Sequence, residues 1–241
     1  MADRNYYARR RQPLLRSFDW FARRAAPRIA ARTDPASATA ILADARTRFA
    51  AVIPELPYIG GVRNIFTPVM IVNGWIVALH RAMQARDHPP ADVIAICAEV
   101  SDDVFRSAPA RILRIVGRLA FTSPMRALFR RQATRSQRRV HAEDFVYRFR
   151  ETDDGEMALV FDECAVNKFY EAQHVEELKP YCNFFDVTYS RLMGMGCDAT
   201  ETIGLGCQQC SLRYKHGRDT PIPATLQGVL PRTPALQKSR P

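Results

Sequence analysis

Apolar side chains at Leu14, Leu15, Phe18, Phe21 and Ala22 recur every three to four residues and predict an amphipathic helix near the start of the chain. A second helix carries Ile41, Leu42, Ala45 and Phe49, with Ser37 as its expected cap. Pro54, Pro57 and Gly60-Gly61 mark a loop. The mostly apolar stretch 67–86 then predicts a long buried helix, stopped by Pro89-Pro90. Stretches 92–107 and 109–135 predict two more, the latter passing from an apolar half to a basic half near Ser123-Pro124.

After Asp144 the period changes. Phe145-Val-Tyr-Arg-Phe-Arg and Met157-Ala-Leu-Val-Phe are short β-favouring runs on either side of Asp153-Asp154-Gly155, which predicts a hairpin. Helices are expected over 163–179 and 181–193, and a second strand pair over 198–203 and 209–214. The fold class expected is α+β: a helical N-terminal part followed by a small antiparallel sheet with inserted helices. The expected division is a helical region 1–141, an α+β catalytic or ligand-binding region 142–215 packed on it, and a mobile, basic, proline-rich tail 216–241.

With 241 residues and 47% hydrophobic content the chain can bury a sizeable core, which excludes a disordered protein. The formal charge of +10 is carried mainly by arginine, dense at 9–11, 23–24 and 126–139. Such a balance suits solubility, an anionic substrate, nucleic acid or an anionic membrane surface. None of the usual nucleic-acid-binding signatures accompanies it, so nucleic acid is not the expected partner. The N-terminus has charge without an apolar core, and the run 65–79 is interrupted by Asn73 and is short for a membrane span. Six cysteines without a secretory leader predict free thiols in a reducing, cytoplasmic setting.

Reactive groups concentrate between Tyr181 and Tyr214. Cys182 and Asp186 lie four apart, so a helix there would put a thiol and a carboxylate on one face. Thr200-Glu-Thr-Ile-Gly-Leu-Gly-Cys-Gln-Gln-Cys210-Ser-Leu-Arg-Tyr214 follows, with glycines that let backbone approach closely. A carboxylate beside a thiol can orient it or take a proton through water, but its charge raises the thiol pKa; the same two residues read equally as a packing cysteine and a surface or amide-pairing aspartate. Exposed amides and hydroxyls at Thr200, Thr202 and Gly206 suit a carboxylate or an oxyanion, or form an ordinary hairpin corner. Arg213 suits a bidentate grip on a carboxylate, although strand alternation points it away from Cys210. Cys207 and Cys210 form half of a metal or redox motif, but a zinc site needs four ligands and the other cysteines supply no second pair. Asn73, midway along an apolar helix, needs buried partners or lines a pocket.

A cysteine, three residues and an aspartate, then a Thr/Gly-rich approach to Gly-x-x-x-Cys and an alternating Leu-Arg-Tyr strand, resembles the L-2-amino-thiazoline-4-carboxylic acid hydrolase family. The matching residues are Cys182, Asp186, Thr202, Gly206, Cys210 and Arg213, with Glu163-Cys164 and the helical run to Tyr170 as a looser match. The resemblance implies a hydrolase of cysteine metabolism that opens a small cyclic isothiourea amino acid to an N-carbamoyl amino acid. It implies a small-molecule substrate and no cofactor or metal. In that chemistry Asp186 is the general base or orienting group and Cys182 or Cys210 the nucleophile, with Thr200, Thr202, Gly206, Arg213 and Asn73 as substrate-binding residues. The rival expectation is a non-catalytic small-molecule-binding module, distantly like the 4-vinyl reductase domains, in which the cysteines only pack or sense.

Overall fold

The computed structural model describes residues 5–231. The chain resolves into two compact units that interleave along the sequence. Unit 1 takes the chain up to Val100, Val140–Asp144 and Ala165–Lys179; unit 2 takes Ser101–Arg139, Phe145–Cys164 and the chain from Pro180 onward.

Unit 1 is helical. Helix α1 (Arg11–Ala30) packs on α2 (Pro35–Val52), and α2 on α3 (Thr67–Gln84). The cap of α2 is Asp34 rather than Ser37: its carboxylate accepts from the amides of Ala36 and Ser37 at 2.9 and 3.0 Å, and Pro35 fits the first helical position because its missing N–H would lie unbonded there anyway. Phe18 stacks on Phe49 with ring centroids 5.3 Å apart, inside a core that includes Ile29, Ile41, Met70, Ile76 and Leu79. Gly74 allows that closeness, since a Cβ there would stand 2.9 Å from the Leu56 side chain. Helix α4 (Pro90–Arg106) starts in this unit, and α7 (Ala165–Ala172) packs on α3. The helix expected over 163–179 is broken at His174, whose φ of 52° is left-handed, and resumes as a 3-10 segment, Glu176–Tyr181.

Unit 2 holds α5 (Ala110–Leu119) and α6 (Ser123–Ser136), where the sequence pattern predicts one helix. Thr122 is extended and Pro124 falls in the first turn of α6, where a residue without N–H starts a helix rather than continues one. Four antiparallel strands, β1 (Val146–Glu151), β2 (Met157–Glu163), β3 (Cys197–Glu201) and β4 (Cys210–Tyr214), run in the order β1-β2-β4-β3. The α+β expectation holds, and both strand pairs stand within about one or two residues of where alternation put them.

Register decides which side chains share a face. Met157, Leu159 and Phe161 oppose Tyr214, Leu212 and Cys210, and these six are buried. The opposite face is mainly polar, with Arg148 bonded to Asp162 and Arg213 to Asp198 around the buried Val160. Helix α8 (Phe184–Met193) packs against β3 and α5, and α6 packs against β1. The stretch after His216, expected to be a mobile tail, is packed as far as the structure describes it: Leu226 and Leu230 are buried, because these two apolar residues give the segment something to dock with. Residues 232–241 lie outside the described part. Among the described residues no helix is long and apolar enough to cross a membrane.

Candidate functional site

The site grows from the turn before α8. The 3-10 segment runs through Pro180 to Tyr181, the helix expected from residue 181 begins instead at Phe184, and Cys182 sits in the turn ahead of it. Cys182 and Asp186 are therefore not an i,i+4 helical pair. The turn is fixed by Asn183, whose amide donates to the Ala199 carbonyl of β3 at 2.7 Å. Asp186 lies in the first turn of α8, where a carboxylate faces the positive end of the helix.

Two phenols attend that carboxylate. Tyr189, one turn on, donates to Asp186 Oδ1 at 2.9 Å; Tyr214 at the end of β4 lies 2.9 Å from the Tyr189 oxygen and 3.4 Å from Oδ1. Each phenol has one proton. Tyr189 spends its proton on Asp186, so Tyr214 serves the group best by donating to the Tyr189 oxygen, which gives a relay from Tyr214 through Tyr189 to the carboxylate. Burial pushes the Asp186 carboxyl up from its ordinary value of 3.8 to about 6, and the two tyrosines pull it partly back. A carboxylate poised there is ionised at neutral pH and can still accept a proton.

The thiols behave differently. Burial pushes Cys182 up strongly, with the neighbouring Cys210 and the Asp186 carboxylate acting in the same direction; the Thr202 hydroxyl and the local backbone oppose them. Cys210 is pushed up by donating its thiol proton to Cys164, and then by burial, while its sulfur accepts from the Ile203 amide at 3.1 Å. Cys197, beneath Tyr214 and Ser190, is raised by burial as well. All six cysteines are free. The cluster thus combines one ionised carboxylate with neutral thiols. Cys182, Asp186 and Tyr189 are partly buried as residues, with their reactive groups surrounded by protein.

The sequence model of the L-2-amino-thiazoline-4-carboxylic acid hydrolase family matches residues 68–214, more than half of the chain. The chain belongs to this family. No curated protein and no solved structure matches it. As a hydrolase-family chain it draws its matched region from both units.

Of the residues the sequence singled out, the fold brings together Cys182, Asp186, Cys210 and Thr202. Thr202 is 1% exposed, and its hydroxyl, which has no hydrogen bond of good geometry, lies beside Cys182. Thr200 is exposed and bonds Asp198 at 2.8 Å, and Gly206, also exposed, takes a left-handed φ of 89° to end the turn after Thr202. Arg213 is turned to the polar face, 2.6 Å from Asp198, because residues at alternate strand positions face opposite ways. Asn73 belongs to unit 1, where its amide donates to the Val69 carbonyl and its oxygen accepts from Tyr170. Cys207 is exposed while Cys210 is buried, so the pair does not converge. Among the described residues no group of three or more His, Cys, Asp or Glu is placed to hold a metal ion.

Tyr189, Tyr214 and Cys164 complete the cluster and were not singled out as site residues. Two signals for the tyrosines were present. Tyr189 is at i+3 from Asp186, and Tyr214 shares the buried alternation of Cys210 and Leu212.

Proposed function

We propose that the chain hydrolyses a small cyclic amidine or isothiourea amino acid of the L-2-amino-thiazoline-4-carboxylate type to an N-carbamoyl amino acid. The observation that carries this reading is the Asp186 carboxylate, raised by burial to about 6 and held by Tyr189 with Tyr214 behind it, in a chain of this hydrolase family.

Asp186 takes a proton from water as the oxygen bonds to the ring carbon between nitrogen and sulfur. The attack moves the C=N π pair onto the ring nitrogen, which takes the adduct's hydroxyl proton as the carbonyl forms; the carbon–sulfur bond breaks, and the proton held by Asp186 passes to the departing sulfur. One water is consumed, and a thiol and a carbamoyl group are formed. Cys182, kept a thiol by burial, and Cys210, kept one first by its hydrogen bond to Cys164 and then by burial, suit walls of the site better than nucleophiles, since the thiolate is the reactive form. Thr202 is the best-placed of the polar candidates to touch a substrate near Cys182. Free thiols fit a reducing, cytoplasmic setting.

The test is turnover of 2-amino-thiazoline-4-carboxylate, followed by release of a free thiol and by the mass of the N-carbamoyl product. Wild type should turn over and Asp186→Asn should be about 10²-fold slower. Tight binding of the ring compound without turnover by wild type would instead make this a ligand-binding module.

A further inference from the structure

Helix α5 leaves its most apolar face uncovered. Ile112, Ile115, Val116 and Leu119 are 44–55% exposed, and their spacing places them in one sector of the helix. Leu113 and Gly117 form a second sector that is buried, with Gly117 so close to α8 that a Cβ would stand 2.2 Å from the Met193 carbonyl oxygen. Arg111, Arg114 and Arg118 fill the third. The helix is therefore fixed to unit 2 by one sector and presents aliphatic side chains flanked by arginines outward.

The surrounding sequence is strongly cationic. From Ser107 to Ala142 there are nine arginines and no acidic residue. Some are neutralised from the sheet, as Arg126 and Arg130 are by Glu151 and Arg139 by Glu163. Arg111, Arg118, Arg131 and Arg138 are exposed and make no ion pair among the described residues.

From this we infer that α5 is a docking face for an anionic lipid surface, with Ile112, Ile115, Val116 and Leu119 entering the headgroup boundary and Arg111 and Arg118 reaching lipid phosphates. A helix lying in an interface needs both features, an apolar face to bury and cationic side chains at its flank. A second copy of the chain is disfavoured by charge, because an isologous contact sets each arginine cluster against its own image. Nucleic acid would satisfy the arginines but leave four aliphatic side chains in water, with no aromatic ring on this helix for a base to stack on.

The experiment is co-sedimentation of the full chain with vesicles of phosphatidylcholine alone or with added phosphatidylglycerol. Binding is expected only to the anionic vesicles and is expected to weaken as salt rises. Arg111→Gln with Arg118→Gln should weaken it about thirtyfold, from about fivefold per arginine at such a surface. Ile115→Ser with Val116→Ser should weaken it about tenfold or more with the fold retained, since both lie outside the buried sector of Leu113 and Gly117 that holds α5. Failure to bind either vesicle overturns the inference. So does an Ile115→Ser/Val116→Ser protein that binds like wild type, tighter retention by a DNA or RNA fragment than by vesicles, or a dimer in solution that the same serine substitutions dissociate. Ring-opening turnover without lipid is a separate readout that these outcomes leave untouched.

Discussion

Replacing Asp186 by asparagine should separate the two costs of that carboxylate. Its pKa is raised from 3.8 to about 6, so the folded chain holds the proton more tightly than the unfolded chain does. The penalty for the buried charge is absent below about pH 4, sets in between about pH 4 and 6, and is constant above that. A rise of that size corresponds to about 3 kcal/mol as an upper bound, and partial solvent access reduces this to about 1–2 kcal/mol. Asparagine has the same shape, can still accept from Tyr189, and never carries the charge. At pH 8 the variant should melt about 2–8 °C above wild type, and at pH 4 the two should coincide. Ring-opening activity should fall about 10²-fold at pH 8, and wild-type kcat/KM should rise with pH and level off above about pH 6. Thermal melts at the two pH values and initial rates across pH 5–8 suffice. A variant that is less stable at pH 8 and retains its turnover would refute the reasoning, by showing that Asp186 is only a structural acceptor.

Tyr189→Phe removes the donor to Asp186 Oδ1, so the acidic limb of the pH–rate profile should move to a pH about one higher; an unmoved limb would break the relay. Arg213→Gln should leave KM within about twofold and cost at most about 1 kcal/mol, because its partly exposed ion pair with Asp198 is on the polar face; a tenfold rise in KM would restore it as a substrate grip. Cys210→Ala takes the acceptor from the Ile203 amide and should cost about 1–3 kcal/mol in denaturant unfolding while leaving kcat within about tenfold, whereas complete loss of turnover would make Cys210 the nucleophile. Gly117→Ala forces a Cβ onto the Met193 carbonyl and should destabilise by about 3 kcal/mol in the same assay, unless α5 shifts off α8.

The strands and most of the helices were legible because their apolar periods are strong and their ends are marked by proline, glycine or aspartate. The break between α5 and α6 was legible as a change of character at Ser123-Pro124 but not as an end, since the arginine-rich half has helical composition of its own. The site was half legible. Cys182, Asp186, Thr202 and Cys210 do meet, although the thiol reaches the carboxylate from a turn rather than along a helix face. What local pattern could not supply is register: the pairing of β3 with β4 sets Tyr214 level with Cys197, on the strand against which α8 packs, and so gives Asp186 its second phenol. Arg213 shows the converse, since its period already pointed it away from the cysteine face.

The way the two units share the chain bears on synthesis. Unit 1 recruits α7 and most of the 3-10 segment from residues 165–179, so its helices cannot all be in place until residue 179 has been made. Unit 2 completes its sheet only with β4 and buries Leu226 and Leu230 later still. Neither unit exists as an uninterrupted segment that could close up behind the ribosome while the other is translated. Until residues 165–172 follow, the part of α3 that α7 covers stays open, and that is the surface on which a nascent-chain chaperone would act.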